Sequence, residues 1–226
     1  MSSFSLLILS AGFGKRMSDL TKNVPKPLLK FNNKILLGNT INFFQEIGCN
    51  EIFINTHYLN KKIEKYIYHN YSQSLINVVY EPKILGTGGG VKNIFNYTKS
   101  EIICVVNSDI FWKENNKLDI SNFLNDLNTV SHCRLLLSKK KNFIGLKNDK
   151  GDFDIKDNEV INWSEGKEII FYSGLQIISK KVFDNNKKIF SMKDVWDKLI
   201  LYKNLQGKLS ESNIIHIGDK KSFNTI

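Results

Sequence analysis

Residues 9–17, Leu-Ser-Ala-Gly-Phe-Gly-Lys-Arg-Met, combine glycines with positive charge directly after a short apolar run. Gly12 and Gly14 have no side chain, so the backbone can turn tightly there and bring its amide groups close to a polyphosphate. Lys15 and Arg16 add two positive charges at the same point. A dinucleotide loop would need glycine or alanine where this chain has methionine, and a Walker loop would need serine or threonine after its Gly-Lys pair. We therefore predict a phosphate-binding loop, although a Gly-x-Gly pair alone is as typical of a structural turn.

A second candidate is Lys26, which lies between Pro25 and Pro27. Proline fixes its own backbone and restricts the residue before it, so the directions in which the lysine ammonium can point are limited. A charge restrained in this way suits contact with a phosphate. The alternative is a plain proline-rich turn with no ligand.

Asp109 closes the sequence Asn107-Ser108-Asp109 at the end of a predicted buried strand. A carboxylate at the end of such a strand is where a metal ion on a triphosphate would be expected, and the alternative is an aspartate that caps the following turn.

Residues 85–90, Leu-Gly-Thr-Gly-Gly-Gly, precede a helix-forming run that begins at Val91. We interpret these glycines as a glycine-rich loop that forms a pocket wall, and the alternative is a flexible loop.

These residues need a scaffold that brings distant strand ends together. Short apolar runs over residues 5–10, 51–55, 76–80 and 101–106 indicate buried strands, and helical patterns occupy residues 37–48, 60–69 and 90–97. The alternation predicts a parallel sheet with helices on both faces and ligands at the carboxyl ends of the strands. Later strands are expected over residues 135–138, in a hairpin around residues 156–158 and over residues 169–178, which adds a partly antiparallel edge. A capping box at residues 191–194 predicts a further helix.

The loop and the Pro-Lys-Pro segment together resemble motifs of the nucleoside-diphosphate-sugar pyrophosphorylases, also called sugar-1-phosphate nucleotidyltransferases. In that family L-x-x-G-x-G-x-R-M precedes P-K-P, and both occur here in that order, although residues 18–21 are Ser-Asp-Leu-Thr where the family usually has R-P-L-T. The resemblance continues through Asn55-Thr56-His57-Tyr58, residues 85–90 and Asn107-Ser108-Asp109. Residues 151–153, 172–177, 190–192 and 195–197 are most similar to short N-acetylmuramate-1-phosphate uridylyltransferases and to relatives described as mannose-1-phosphate guanylyltransferases.

The resemblance implies an α/β chain with a three-layer, Rossmann-like nucleotidyltransferase fold, a mostly parallel central sheet and a small mixed sheet on the sugar side. A single domain over residues 1–226 is expected, with residues 1–110 binding the nucleotide and residues 111–226 binding and enclosing the sugar. The implied reaction joins a nucleoside triphosphate to a sugar 1-phosphate and releases pyrophosphate. UTP with N-acetylmuramate 1-phosphate, in cell-wall sugar recycling, is the favoured pair. The alternatives are GTP with mannose or heptose 1-phosphate, or a nucleotide-sugar-binding protein without turnover.

Family motifs also imply roles for individual residues. Arg16 would contact the leaving pyrophosphate, Lys26 the phosphate of the sugar or the α-phosphate, and Asp109 a Mg²⁺ ion. The nucleotide-binding positions would be Ala11, Gly12, Gly14, Lys15, Asn55, Gly86, Thr87 and Gly88, and the sugar-binding positions Asn107, Gly151 and Gly174. His216 stands where the larger family has an aspartate as second metal ligand. It is either a metal ligand that favours Mn²⁺ or Co²⁺, or a structural residue of a strand.

The overall charge does not point to nucleic acid. Lysine and arginine number 32 against 22 acidic residues, a net charge of +10, but Arg16 and Arg134 are the only arginines. Nucleic-acid readers favour arginine for bidentate contacts, so the lysine excess indicates a solvated surface. Three widely spaced cysteines indicate buried thiols in a reducing compartment, and no apolar run is long enough to span a membrane. We therefore expect a cytoplasmic protein that binds neither nucleic acid nor membrane.

Overall fold

The structure is a computed structural model that describes residues 3–72, 74–125, 127–145, 150–156, 160–166, 168–183 and 187–225. Its strands are β1 (Phe4–Leu9), β2 (Lys30–Phe31), β3 (Lys34–Ile35), β4 (Cys49–Thr56), β5 (Ile76–Tyr80), β6 (Ile102–Asn107), β7 (Ile110–Phe111), β8 (Cys133–Lys139), β9 (Phe143–Ile144), β10 (Phe153–Ile155), β11 (Ile161–Trp163), β12 (Ile170–Ser179), β13 (Leu205–Leu209) and β14 (Ile214–His216). The helices are α1 (Leu36–Glu46), α2 (Asn60–Asn70), α3 (Gly86–Ile94), α4 (Lys117–Leu124), α5 (Met192–Leu201) and α6 (Lys220–Thr225). None of these helices has the length and apolar character needed to cross a membrane.

Four parallel strands in the order β6-β1-β4-β5 form the part of the main sheet that the sequence predicted. Leu9, at the end of β1, is in register with Asn55 on one side and with Asn107 on the other. The carboxyl ends of these strands therefore meet at one edge of the sheet, where ligands of such folds bind.

The other half of the sheet is mixed. β12 runs antiparallel to both β6 and β8, and β13 runs parallel to β8. The pairing of β12 with β8 shifts register between Tyr172 and Gln176, which marks a bulge beside Gly174. β10 and β11 pair antiparallel as predicted for the hairpin, and residues 157–159 between them lie outside the described residues. The partly antiparallel edge is thus confirmed.

Two buried cores on opposite faces of the main sheet give the predicted three layers. Along β1, Leu6 and Ile8 belong to the core that α1, α2 and α4 cover, whereas Leu7 belongs to the core that α3 and α5 cover. This alternation is the period of two that a strand buried on both faces requires. A separate small mixed sheet has the strand order β7-β14-β9, and its strand β14 carries His216.

The glycines after Leu85 differ from the prediction. Residues 86–90 were expected to be a loop before a helix at residues 90–97, but they form the first turns of α3, which ends at Ile94. Glycine costs about 1 kcal/mol per residue in a helix, so a pattern-based prediction places it in a loop. Here the glycines let the helix approach the chain around Phe190 very closely, and that packing outweighs the intrinsic preference.

Candidate active site

A cavity of about 390 Å³ opens at the carboxyl ends of β1, β4 and β6 and beside the start of α3. Its wall includes most of the residues that the sequence singled out: Ala11, Gly12, Gly14, Lys15, Arg16, Lys26, Asn55, Gly86, Thr87, Asn107 and Asp109. Ser10, Pro27, Glu81, Ile84, Ser108 and Gly218 also line it. The fold thus brings the phosphate-loop, Pro-Lys-Pro, glycine and Asn-x-Asp motifs to one place.

Four predicted site residues lie outside this wall. Gly88 is buried, and a Cβ there would lie 2.5 Å from the Phe190 ring. Gly151 packs against the backbone of Ile170, 2.8 Å from where its Cβ would be. Gly174 has a left-handed φ of 86°, and a Cβ there would meet Ile110 at 2.8 Å. His216 is on β14, and its Nε2 lies 3.4 Å from Asp109 Oδ2.

Residues 11–17, called the phosphate loop from here on, are held mainly by backbone contacts. The Met17 N–H donates to the Gly14 carbonyl at 2.9 Å, and Thr21 Oγ1 donates to the same carbonyl at 3.0 Å. Gly14 has a left-handed φ of 67°, and a Cβ there would meet Thr21 at 3.0 Å. The side chains of Lys15 and Arg16 are exposed at the mouth of the cavity. The loop therefore presents amides and two exposed cations to any anion that enters.

Lys26, Asp109 and His216 form a second group, called the buried charge cluster. Lys26 Nζ lies 2.7 Å from Asp109 Oδ2 and donates to the Gly218 carbonyl at 3.3 Å. His216 Nε2 lies 3.4 Å from the same Asp109 oxygen. All three side chains are nearly buried, at 10%, 15% and 12% exposure. A cation on a rigid Pro-flanked turn is thus fixed beside the carboxylate at the end of β6.

The ionisation of Asp109 follows from these neighbours. Burial by itself would raise the pKa of its carboxyl group, because the charged form loses its hydration. The Lys26 ammonium and the His216 imidazole outweigh burial and hold the pKa well below its ordinary value of 3.8. Asp109 is therefore a carboxylate at neutral pH.

The two oxygens of this carboxylate differ in their surroundings. Asp109 Oδ1 is buried and has no hydrogen-bond partner among the described residues, whereas Oδ2 contacts both Lys26 and His216. Mg²⁺ prefers oxygen ligands and often takes only one or two carboxylates, with phosphates and water completing its shell. No group of three or more His, Cys, Asp or Glu side chains with metal-binding geometry occurs in the described part of the chain. The site therefore fits a substrate-borne Mg²⁺ held by a single carboxylate.

A chain of hydrogen bonds stiffens another wall of the cavity. The Ser10 N–H donates to Asn55 Oδ1 at 2.9 Å, Asn55 Nδ2 donates to Glu81 Oε1 at 2.8 Å, and the Leu85 N–H donates to Glu81 Oε2 at 3.1 Å. These bonds link the ends of β1, β4 and β5 to the start of α3. Because the oxygen and the nitrogen of the Asn55 amide each make a hydrogen bond within this wall, the side chain is fixed as part of the cavity lining.

The first turn of α3 is fixed by residues far along the chain. The N–H groups of Gly88 and Gly89 both donate to the Phe190 carbonyl at 3.1 Å, and the Phe190 N–H donates to the Leu85 carbonyl at 3.0 Å. Thr87 Oγ1 accepts from the Met192 N–H at 2.8 Å. Any side chain at residue 88 or 89 would enter this contact. The residues that lead into α5 thus hold the glycines at the start of α3 in place.

Sequence reasoning missed part of this wall. Gly218 and Ser108 carried no signal of their own, whereas Glu81 follows β5 directly and its position at a strand end was the available cue. Ser10 lies inside the loop motif, and its buried Oγ has no partner within the described residues.

Comparison with known proteins places these features in a family. The family described as "Nucleotidyl transferase" matches residues 5–137. A D-glycero-alpha-D-manno-heptose 1-phosphate guanylyltransferase of Aneurinibacillus thermoaerophilus is 27% identical over 94% of this chain and 92% of that protein. An N-acetylmuramate alpha-1-phosphate uridylyltransferase of Caulobacter vibrioides is 24% identical over 96% of this chain and 92% of that protein.

A solved structure shares the whole architecture. The crystal structure of HddC from Yersinia pseudotuberculosis complexed with GMP-PN superposes with a TM-score of 0.75 and covers 97% of this chain and 96% of that one, at 23% identity. Similarity at this level of identity concerns the fold, and it confirms the Rossmann-like class.

Proposed function

The chain belongs to the nucleotidyl transferase family, and on that premise we propose that it transfers the nucleotidyl group of a nucleoside triphosphate to a sugar 1-phosphate. The observation that carries this proposal is the meeting of Lys26, Asp109 and the phosphate loop in one cavity. Both substrates are highly anionic, so a site for their reaction must neutralise charge and hold two phosphates in line. A buried cation beside the carboxylate and two exposed cations on the wall of the same cavity suit that task.

In the proposed reaction, an oxygen of the sugar phosphate attacks the α-phosphorus of the triphosphate. A new P–O bond forms, the bond to the bridging oxygen of the β-phosphate breaks, and pyrophosphate leaves with its electron pair. No covalent enzyme intermediate is needed. Arg16 and Lys15 at the mouth of the cavity would stabilise the pyrophosphate, and Lys26 would contact the α-phosphate or the sugar phosphate.

Asp109 Oδ1 would hold Mg²⁺, or Mn²⁺ or Co²⁺ in its place. The ion, when bound, would neutralise phosphate charge. To accept it, the carboxylate must share Oδ2 with Lys26 while offering Oδ1 to the ion. An incoming phosphate would draw the Lys26 ammonium toward itself, because the anion competes with the carboxylate for the same cation.

The remaining predicted residues divide between two sides of the cavity. Ala11, Gly12, Gly86 and Thr87 would contact the nucleoside, since they line the wall that Asn55 and Glu81 stiffen. Asn107 would contact the sugar. Gly88, Gly151 and Gly174 would act by allowing close packing behind these surfaces. We retain the division at about residue 110 into nucleotide and sugar parts, with Gly218 of the second part completing the first cavity.

Two substrate pairs are proposed. The later sequence motifs favour UTP with N-acetylmuramate 1-phosphate. The similarity to a heptose-1-phosphate guanylyltransferase over nearly the whole chain favours GTP with heptose or mannose 1-phosphate. The two pairs differ in both base and sugar, so one assay separates them.

The test is pyrophosphate release from each of ATP, CTP, GTP and UTP with a panel of sugar 1-phosphates that includes N-acetylmuramate, mannose and heptose. We expect release that requires a divalent ion and one pair that exceeds all others. Asp109→Asn protein is the negative control. Binding of a nucleotide sugar with no release for any pair would instead indicate a binding protein without turnover.

We also propose a cytoplasmic location. Cys49, Cys104 and Cys133 are all buried and unpaired, as expected in a reducing compartment. Fractionation of producing cells with an antibody against the chain tests this, and recovery from an oxidising compartment would contradict it.

A further inference from the structure

His216 and Lys26 converge on the same oxygen of Asp109. Lys26 Nζ lies 2.7 Å and His216 Nε2 3.4 Å from Oδ2, whereas Oδ1 has no partner in the described chain. β14 fixes the histidine, since it pairs with β7 and β9 on its two sides, and His216 itself is in register with Ile110. The ring is 12% exposed, so its position is set by packing.

The orientation of the ring determines what Nε2 can do. A carboxylate oxygen is an acceptor, so a favourable contact with it requires that Nε2 carry a hydrogen. A nitrogen that donates to Asp109 has no lone pair left for a metal ion. The Cε1 edge of the ring faces Gly218, where a Cβ would collide with Cε1 and lie 2.9 Å from Nδ1 and 3.0 Å from Nε2. Nδ1 is buried and has no hydrogen-bond partner among the described residues. Nε2, the nitrogen that faces Asp109, is therefore not placed to ligate an ion at Oδ1.

We propose that His216 is a positioning residue of the nucleotidyl-transfer site, which holds Asp109 Oδ2 together with Lys26 so that Oδ1 is the oxygen presented to the divalent ion. This inference rests on the proposed function and assigns the histidine no direct contact with the ion. Two donors on one oxygen fix the rotation of the carboxylate, which a single contact cannot do. Such supporting contacts typically account for about 10- to 100-fold in metal affinity.

Gly218 offers a second way to disturb the same contact. The absence of a side chain at this position leaves room for the imidazole. In Gly218→Ala the new methyl group collides with the ring, so the imidazole must leave its present position beside Asp109 while remaining in the protein. The proposal therefore predicts that Gly218→Ala resembles His216→Ala.

The experiment measures Mn²⁺ binding by electron paramagnetic resonance, with UTP or GTP present in parallel samples and the sugar phosphate omitted. The variants are His216→Ala, His216→Gln, Gly218→Ala and Asp109→Asn, and His132→Gln, which removes a histidine on the surface, is the matched control. Glutamine can donate to Oδ2 but lacks an imidazole nitrogen. Thermal melting of each variant monitors folding.

We expect His216→Ala and Gly218→Ala to weaken Mn²⁺ binding by about tenfold or more, and His216→Gln to restore it to within about threefold of wild type. Nitrogen coupling in the pulsed Mn²⁺ spectrum should not change between wild type and His216→Gln. A nitrogen coupling lost in His216→Gln would make the histidine a ligand and overturn the proposal. Wild-type affinity in the folded alanine variant would overturn it as well.

Failure of the proposed function gives a different result. If Asp109→Asn bound Mn²⁺ as wild type does and wild type released no pyrophosphate, the metal site itself would be misassigned. If Asp109→Asn lost Mn²⁺ and wild type turned over, only the role of His216 would be in question.

Discussion

The phosphate loop and the buried charge cluster supply positive charge to one cavity in opposite ways. Lys15 and Arg16 are exposed, and the loop that carries them is held by its own backbone. Lys26 is buried, paired with Asp109 and hydrogen-bonded to the Gly218 carbonyl. The cluster is therefore organised before any ligand binds, whereas the loop cations are exposed to solvent, with Lys15 Nζ 5.5 Å from the centre of the Phe13 ring. Preorganised charge favours the transition state, and exposed charge favours capture of an anion.

The two regions also differ in how much a substitution in each should destabilise the folded protein. Removing one partner of a buried ion pair leaves an uncompensated charge, which typically destabilises a protein by about 3–5 kcal/mol. Removing an exposed cation leaves nothing unsatisfied. Substitutions in the cluster should therefore affect both stability and turnover, and substitutions in the loop should affect turnover alone.

The largest effect is expected from Asp109→Asn. An amide is a much poorer ligand for Mg²⁺ than a carboxylate, so turnover should fall by about 10³-fold or more. Steady-state pyrophosphate release at saturating metal measures it, and Asp19→Asn, which removes an exposed carboxylate, is the control. Activity that persisted while only the melting temperature fell would show that Asp109 merely caps the turn after β6.

Lys26→Met should lower turnover by about 10²- to 10³-fold, because it removes a fixed cation in a desolvated site, and it should also lower stability. Lys30→Met removes an exposed lysine on β2 and should leave both quantities unchanged. Urea unfolding and turnover are measured on the same preparations. Adding Asp109→Asn to Lys26→Met should recover stability without recovering activity. A double variant less stable than Lys26→Met alone would contradict the assignment of a buried pair.

Arg16→Ala should lower turnover by about 10²-fold, with unfolding free energy unchanged, because its charge is exposed and meets negative charge that develops on pyrophosphate. Lys22→Ala, which removes another exposed cation close to the loop, should be neutral. Turnover and urea unfolding are compared with those of Lys26→Met. A loss of stability as large as in that variant would erase the distinction between the two regions.

The same contrast explains how much the sequence could predict. The phosphate loop is local chemistry, and its glycines and cations can be identified from consecutive residues. Lys26 and Asp109 could each be identified from their neighbours, but their contact joins residues 83 positions apart, and that of Lys26 with Gly218 joins residues 192 positions apart. Such pairings depend on strand order and register, which no local pattern encodes.

The glycines of residues 86–90 were predicted as a loop, and not as the start of α3, for a related reason. Propensity disfavours a helix that begins Gly-Thr-Gly-Gly-Gly, and the contact that overrides propensity comes from Phe190, about a hundred positions later. The parallel strands were predicted nearly to their ends because each is built around a short apolar run. β14, the short strand that carries His216, has no such run. The sequence is therefore compatible with two interpretations of His216, a metal ligand or a structural residue of a strand.

The low pKa of Asp109 should have a smaller, pH-dependent effect on the free energy of unfolding. Its carboxyl is more acidic in the folded than in the unfolded state, so its contribution to stability is complete above the unfolded value of about 3.8 and is lost as the pH falls below it. The difference in unfolding free energy between wild type and Asp109→Asn should therefore stay constant from about pH 7 to pH 5 and narrow below about pH 4. Urea unfolding across this range measures it. A difference that widened as the pH fell from 7 to 5 would mean that the pKa of the carboxyl is raised in the folded state, and therefore that the carboxylate is not held by a cation.

The smallest effect is expected at the ion pair beside the loop. Lys220 Nζ lies 2.7 Å from Asp19 Oδ1, the same distance as in the buried pair, but the two side chains are 45% and 70% exposed. Water and salt screen such a pair, and each side chain loses entropy when it is held, so Lys220→Ala should change the melting temperature by less than about 2 °C and turnover by less than about twofold. Double-mutant cycles for Lys220 with Asp19 and for Lys26 with Asp109, run at about 0.05 M and 0.5 M NaCl, compare two pairs of equal length in different surroundings. The coupling of the exposed pair should vanish at high salt while that of the buried pair persists. Equal couplings would mean that burial does not set the difference between the two regions, and that the exposed pair helps to hold the phosphate loop.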